Sequence, residues 1–153
     1  MSKRRIENEI VIACPPQQVY DYVTQPWRWH EWHPSSQSAV SDVDVLAVGD
    51  TFDEVICLQP LSPLPLNIRR QTHYRVVLAQ PGVSFEVRGE TGDGGLTIHY
   101  DLIEQGDATL FRRTLDYEVR GLMALIEPVL LYPRMKRLSA VALANLKVRL
   151  EAQ

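Results

Sequence analysis

The sequence predicts an α+β fold: a seven-stranded antiparallel sheet with two short helices after the first strand and a long C-terminal helix lying across it. Three observations lead there. Residues 39–119 divide into short runs rich in Val, Ile, Thr, Phe and Tyr, separated by turn signals at Gly49-Asp50, Pro60 to Pro65, Pro81-Gly82, Gly92 to Gly95 and Gly106-Asp107. Beyond Gly121 the apolar residues fall at helical spacing. Between the first strand and these runs, prolines mark off two short segments that suit helices of a few turns.

Taken in order, Ile6, Asn8, Ile10 and Ile12 alternate with Glu7, Glu9 and Val11, which predicts a strand ending near Ala13. Pro15 and Pro16 suit a helix start, and Val19, Tyr20 and Val23 give that helix one apolar side before Pro26 stops it. A second short helix is expected over Trp27 to Trp32, closed by Pro34 and the serines that follow. Six further strands are placed near 39–47, 51–58, 68–79, 83–89, 95–104 and 108–120, joined by hairpin-length loops into an antiparallel meander. Pro128 and Pro133 predict a short or kinked piece at 122–132, then a continuous helix from about Pro133, where proline fits the first turn. Leu131, Met135, Leu138, Ala142 and Asn145 share one face of it; Leu143, Leu146 and Leu150 extend a second stripe.

Several function classes are excluded early. The 153 residues form one domain (1–153), long enough to bury roughly 68–70% of the unfolded chain's surface. With 16 Lys and Arg against 19 Asp and Glu the net charge is −3, so no broad cationic field exists to hold a nucleic acid. Cys14 and Cys57 make neither a disulfide framework nor a zinc site and fit a reducing, cytoplasmic setting. The apolar run ending at Pro15 is too short for a signal-peptide core, and Leu122 to Tyr132, interrupted by Glu127 and Pro128, is too short for stable membrane insertion.

The opening Ile10-Val-Ile-Ala-Cys-Pro-Pro-Gln-Gln-Val-Tyr-Asp-Tyr-Val23, followed by Pro26 and Trp32, resembles the start of the START-like, Bet v 1-like superfamily, especially its bacterial polyketide cyclase/dehydrase branch. Val48-Gly49-Asp50-Thr51-Phe52 is similar to that family's Gly-x-x-Phe strand start. Gly106 to Tyr117 is similar to its Gly-x-x-Thr hairpin, and Leu146-Lys147-x-x-Leu150-Glu151 to its Leu-Lys-x-x-Leu-Glu finish. The resemblance covers essentially the whole chain and implies the helix-grip fold, in which a strongly curved sheet wraps around the long C-terminal helix. One departure is that Arg113 stands where the family's last strand often has tryptophan. Members include lipid carriers, hormone receptors, aromatase/cyclases and chaperone activators, so the fold does not choose the function.

Strand alternation supplies the candidate site. It turns inward Phe52, Glu54, Ile56 and Leu58; Arg70, Thr72, Tyr74, Val76 and Leu78; Val83, Phe85 and Val87; Ile98, Tyr100 and Leu102; and Phe111, Arg113, Leu115, Tyr117 and Val119. These faces converge on the terminal helix, through Leu131, Met135 and Leu138, and on Trp32. Such a set is either a filled core or the lining of a small-molecule pocket with a few orienting polar groups. Arg113 or Arg70 is placed to pair with Glu54 internally, or to receive a carboxylate or enolate of a ligand.

The first functional reading is a binder or carrier of a hydrophobic small molecule. Burying ~300 Å² of apolar ligand surface contributes about 7 kcal/mol before ordering costs, enough for micromolar affinity. It needs no cofactor and acts as a monomer or homodimer. The alternative is a metal-free cyclase or dehydratase in which Arg113, Arg70 and Tyr117 polarise carbonyls and Glu54 moves protons. His30, Glu31 and His33 lack a distant third ligand and read as solvated helix residues; His73, His99 and Cys57 alternate outward. The apolar loop 59–66 is a lid over the pocket mouth or a proline-stiffened connection.

Overall fold

The computed structural model describes residues 2–58 and 68–153. Its strands are β1 (Ser2–Ile12), β2 (Ser36–Ser41), β3 (Thr51–Leu58), β4 (Ile68–Gln80), β5 (Ser84–Thr91), β6 (Gly94–Gln105) and β7 (Ala108–Val119). They form one seven-stranded antiparallel sheet in the order β1-β7-β6-β5-β4-β3-β2. The meander therefore runs from β2 to β7, and β1 returns to pair with β7 from Ser2↔Val119 to Ile12↔Thr109. The loop assigned to 59–66 lies outside the described residues.

Two boundaries differ from expectation for physical reasons. β2 spans Ser36–Ser41 rather than 39–47. It is an edge strand with a register shift between Ser36 and Ser38, and its serines are tolerated because only β3 lies beside it. Downstream, Asp50 accepts a hydrogen bond from the Ala47 amide at 2.7 Å. Gly49 adopts φ 95°, so the chain turns there and leaves Val45 and Val48 exposed while Leu46 enters the core. Val83 belongs to the β4–β5 turn and is exposed, in contrast to its inward assignment; Phe85 and Val87 beyond it are buried as expected.

α1 (Pro16–Val23) buries Val19, Tyr20, Tyr22 and Val23. The segment after it, Pro26–Glu31, is a 3₁₀ helix whose Trp29 indole donates to the Val23 carbonyl at 2.8 Å. The C-terminal element is helical throughout residues 122–151, not broken at 132. α2 (Leu122–Ile126) runs through a π-helical turn (Glu127–Leu131) into α3 (Tyr132–Glu151). The wider π turn accommodates Pro128, which has no amide hydrogen to donate to the preceding turn.

α3 buries Ser139, Ala142, Leu143, Leu146 and Leu150. Its C-terminal end is tied to β1 and the turn beyond it: the Ala13 amide donates to Glu151 at 2.9 Å, Lys147 to the Val11 carbonyl at 2.8 Å and the Cys14 thiol to the Leu150 carbonyl at 3.3 Å. The solid core, built on Ile12, Val19, Val23, Phe85, Phe111, Leu146 and Leu150, fills this end of the helix–sheet sandwich.

Candidate functional site

Toward the other end, a cavity of about 120 Å³ lies between the sheet and the residues leading into and through α3. The strands place Glu54 and Ile56 (β3), Arg70 and Tyr74 (β4), Tyr100 (β6), and Arg113, Leu115 and Tyr117 (β7) on its wall. Leu131, Met135 and Leu138 close it from the helix, and Trp32 from the 3₁₀ segment's end. Three residues assigned to the site, Phe52, Phe85 and Phe111, do not line it. Phe52 stacks on Tyr74 at 4.7 Å and meets Trp29 edge-on at 5.5 Å, while Phe85 and Phe111 flank Tyr100 at 6.0 and 5.0 Å. These phenylalanines hold the two tyrosines in place from the side.

Other lining residues escaped the sequence reading. Trp29, His33, Ser35, Asp93, Leu96, Met123 and Ser139 all reach the cavity. Two of them carried a usable signal: Ser139 falls four residues after Met135 on one helix face, and Leu96 shares the parity of Ile98. His33 carried none, because it sits past the end of the 3₁₀ turn, where neither period applies.

The polar end is organised by Glu54. Only 4% exposed, its carboxylate accepts the Tyr74 hydroxyl hydrogen at 3.0 Å. Burial pushes the Glu54 carboxyl up to about 7, against the pull of the Tyr74 hydrogen bond and of the positive charge on Arg113. Tyr100 stands directly across the ladder from Arg113. Burial raises both Tyr74 and Tyr100, so the two phenols remain protonated.

His33 is lowered well below its usual value, first by burial and then by the nearby Arg113 charge, which leaves a neutral ring that accepts from the Ser35 amide at 3.2 Å. It is thus part of the cavity wall, not the solvated helix residue expected. His30 is exposed, and among the described residues no group of three or more His, Cys, Asp or Glu side chains is placed to hold a metal ion.

Neither arginine pairs with Glu54. Arg70 donates to Asp93 from Nε and Nη2 at 3.0 and 2.8 Å, on the β5–β6 turn. Arg113 donates from Nη1 to Ser139 Oγ at 3.3 Å, and no carboxylate lies within 4 Å of it among the described residues. Tyr117 is also committed elsewhere: its hydroxyl donates to the fully buried Glu127 at 2.9 Å, which Arg4 meets at 2.7 Å on the same oxygen. A carbonyl-polarising role for Tyr117 would require breaking that bond. The outward assignments of His73 and His99 match the structure, where both face sheet carboxylates, Asp53 for one and Glu86 and Asp101 for the other.

Gly89 makes the arrangement possible. A Cβ at this position would come within 2.7 Å of the Tyr74 ring and 2.8 Å of Thr72 Cγ2. Gly89→Ala is expected to destabilise the fold by about 1–3 kcal/mol through overpacking. It should also shift the Tyr74 phenol away from Glu54, visible as a changed near-ultraviolet tyrosine band. A variant with unchanged stability and spectrum would refute this role.

The comparisons agree with the fold and the element order. No curated protein sequence matches the chain. Among solved structures, the protein TTHA0849 from Thermus thermophilus superposes with a TM-score of 0.74 at 14% identity, covering 97% of this chain and 98% of its own. The Zhui aromatase/cyclase from Streptomyces sp. R1128 gives 0.73 at 13% identity, covering 98% and 94%. Norcoclaurine synthase from Thalictrum flavum gives 0.60 at 15% identity, covering 98% and 88%. At these identities the likeness is one of fold. The family described as polyketide cyclase / dehydrase and lipid transport matches residues 3–151, and the chain therefore belongs to that family, within the START-like, Bet v 1-like superfamily, and has its helix-grip fold.

Proposed function

We propose that the chain binds or carries a hydrophobic small molecule, held in the cavity between the sheet and the C-terminal helix. The carrying observation is the cavity's construction: apolar walls from Ile56, Ile98, Leu115, Leu131, Met135 and Leu138 with polar groups gathered around Glu54 and Arg113. Apolar walls supply affinity, and a few fixed polar groups set orientation. At about 120 Å³ the cavity is smaller than the roughly 300–1,000 Å³ usual for drug-sized ligands, so the guest is small or only part of it enters. The family's description, which includes lipid transport, supports the same reading. Native mass spectrometry of protein purified without detergent tests it: a retained small molecule, released on denaturation, is the expected result, and a bare chain that also takes up no added fatty acid would overturn it.

A second reading has its own support. Glu54, poised near neutrality and bonded to Tyr74, is suited to take and return a proton, as a cyclase or dehydratase of polyketide-like chains would require. An aromatase/cyclase shares the fold. Turnover of a model poly-β-ketone that is lost in Glu54→Gln would favour catalysis, and unchanged turnover in that variant would exclude Glu54 from it. In either case we place the protein in the cytoplasm, where two free thiols persist, as a monomer or homodimer without nucleic-acid partners. No helix among the described residues is long and apolar enough to cross a membrane.

A further inference from the structure

Two hydrogen-bond donors lie buried and unused in the cavity wall. Arg113 is 4% exposed and Trp32 1%; both line the cavity, and neither Arg113 Nε nor Trp32 Nε1 has a hydrogen-bond partner among the described residues. Both groups can only donate. Buried donors are rarely left unpaired, because losing water without gaining a partner is unfavourable, and the penalty is greater for a guanidinium. Arg113 is met only by neutral groups, the Ser139 hydroxyl and the Tyr100 phenol, and no carboxylate lies within 4 Å of it among the described residues.

The groups around it do not supply a permanent counter-ion. His33 is neutral, Tyr74 and Tyr100 are protonated phenols, and Glu54 is largely uncharged below about pH 7. Farther along the wall, Asp93 is already spent on Arg70. This end of the cavity therefore carries a lasting positive charge with an unfilled donor next to apolar walls.

We infer that the cavity selects an amphipathic monoanion, an apolar body ending in a single carboxylate or equivalent oxyanion, whose oxygens accept from Arg113 Nε and Trp32 Nε1. This rests on the cavity-binding reading above and narrows its ligand class. A neutral lipid or hydrocarbon of the same size would fill the apolar part and leave both donors unmet.

The test is calorimetric titration of the wild-type chain with octanoate and with octan-1-ol at pH 6.5. Octanoate is expected to bind at least 10-fold more tightly. Arg113→Met should weaken octanoate by roughly 10- to 100-fold, the range for a hydrogen bond to a charged group, and leave octan-1-ol unchanged or improved. Trp32→Phe, which keeps an aromatic ring and removes only the indole N–H, should weaken octanoate several-fold and stands in if Arg113→Met does not fold. Equal wild-type affinity for the acid and the alcohol, or octanoate binding untouched by either variant, would overturn the anion inference while leaving the cavity reading intact. No binding of either compound would overturn both.

Discussion

Leu146→Ala is expected to lower the free energy of unfolding by about 3–5 kcal/mol. Leu146 is 0% exposed and sits between Leu143 and Leu150 on the face that α3 buries. Beneath it, Ile12, Val19 and Phe111 are equally inaccessible, and backbone anchors from Ala13 and Val11 hold that end of the helix in place. The surroundings are therefore unable to collapse into the space left by the lost methyl groups, which is the condition for a large cavity penalty. Val148, two residues on and largely exposed, provides the contrast: Val148→Ala should change stability by no more than about 0.5 kcal/mol. Urea unfolding of the two variants checks this. Equal effects would mean that α3 is not seated on the sheet as described.

The second large effect is a pH dependence assigned to one side chain. The Glu54 carboxyl is held at about 7 in the folded chain, mainly by burial, against an ordinary 4.5. Between these values the unfolded chain has released this proton and the folded chain has kept it, so the unfolded state binds fewer protons and stability falls as pH rises. The full effect is about 3 kcal/mol, fully present below pH 4.5 and lost by the time pH has passed 7. Glu54→Gln cannot titrate. Wild type minus Glu54→Gln should therefore decline across pH 4.5–7 and level off on either side, other groups such as Asp93, His99 and Glu31 cancelling because both proteins contain them. A difference that stays constant from about pH 4 to 8 would show that Glu54 is not buried as the structure has it.

Much of this was legible in the sequence because it follows from period. Strand parity turned Glu54, Tyr74, Tyr100, Arg113 and Leu115 to one side of the sheet, and the structure brings all five to one cavity. The same parity also selected Phe52, Phe85 and Phe111. Alternation states which face a side chain is on, but not how far along the strand the core stops and the cavity starts. What parity cannot express accounts for the remainder. β2 was displaced because an edge strand of serines has no apolar signature, and the valines after it turned out to be loop residues fixed by Asp50. The buried Glu127 lies in a π turn, whose spacing matches neither helical period, and its partner Arg4 is more than a hundred residues away in sequence. Whether Arg113 pairs with Glu54 depends on side-chain reach across the sheet, which no pattern of residues conveys.

If guests enter the space between β3–β7 and α3, filling that space with a bulkier side chain must exclude them. Met135 is half-buried on the helix and lines the cavity, so Met135→Trp puts an indole into it with little demand on the solid core. A fluorescent fatty acid titrated into the wild-type protein should show saturable, one-to-one, micromolar binding. Met135→Trp, with its thermal unfolding midpoint preserved, should show at least tenfold weaker binding. Equal binding by the two folded proteins, or none by the wild type, would mean that no guest occupies this cavity.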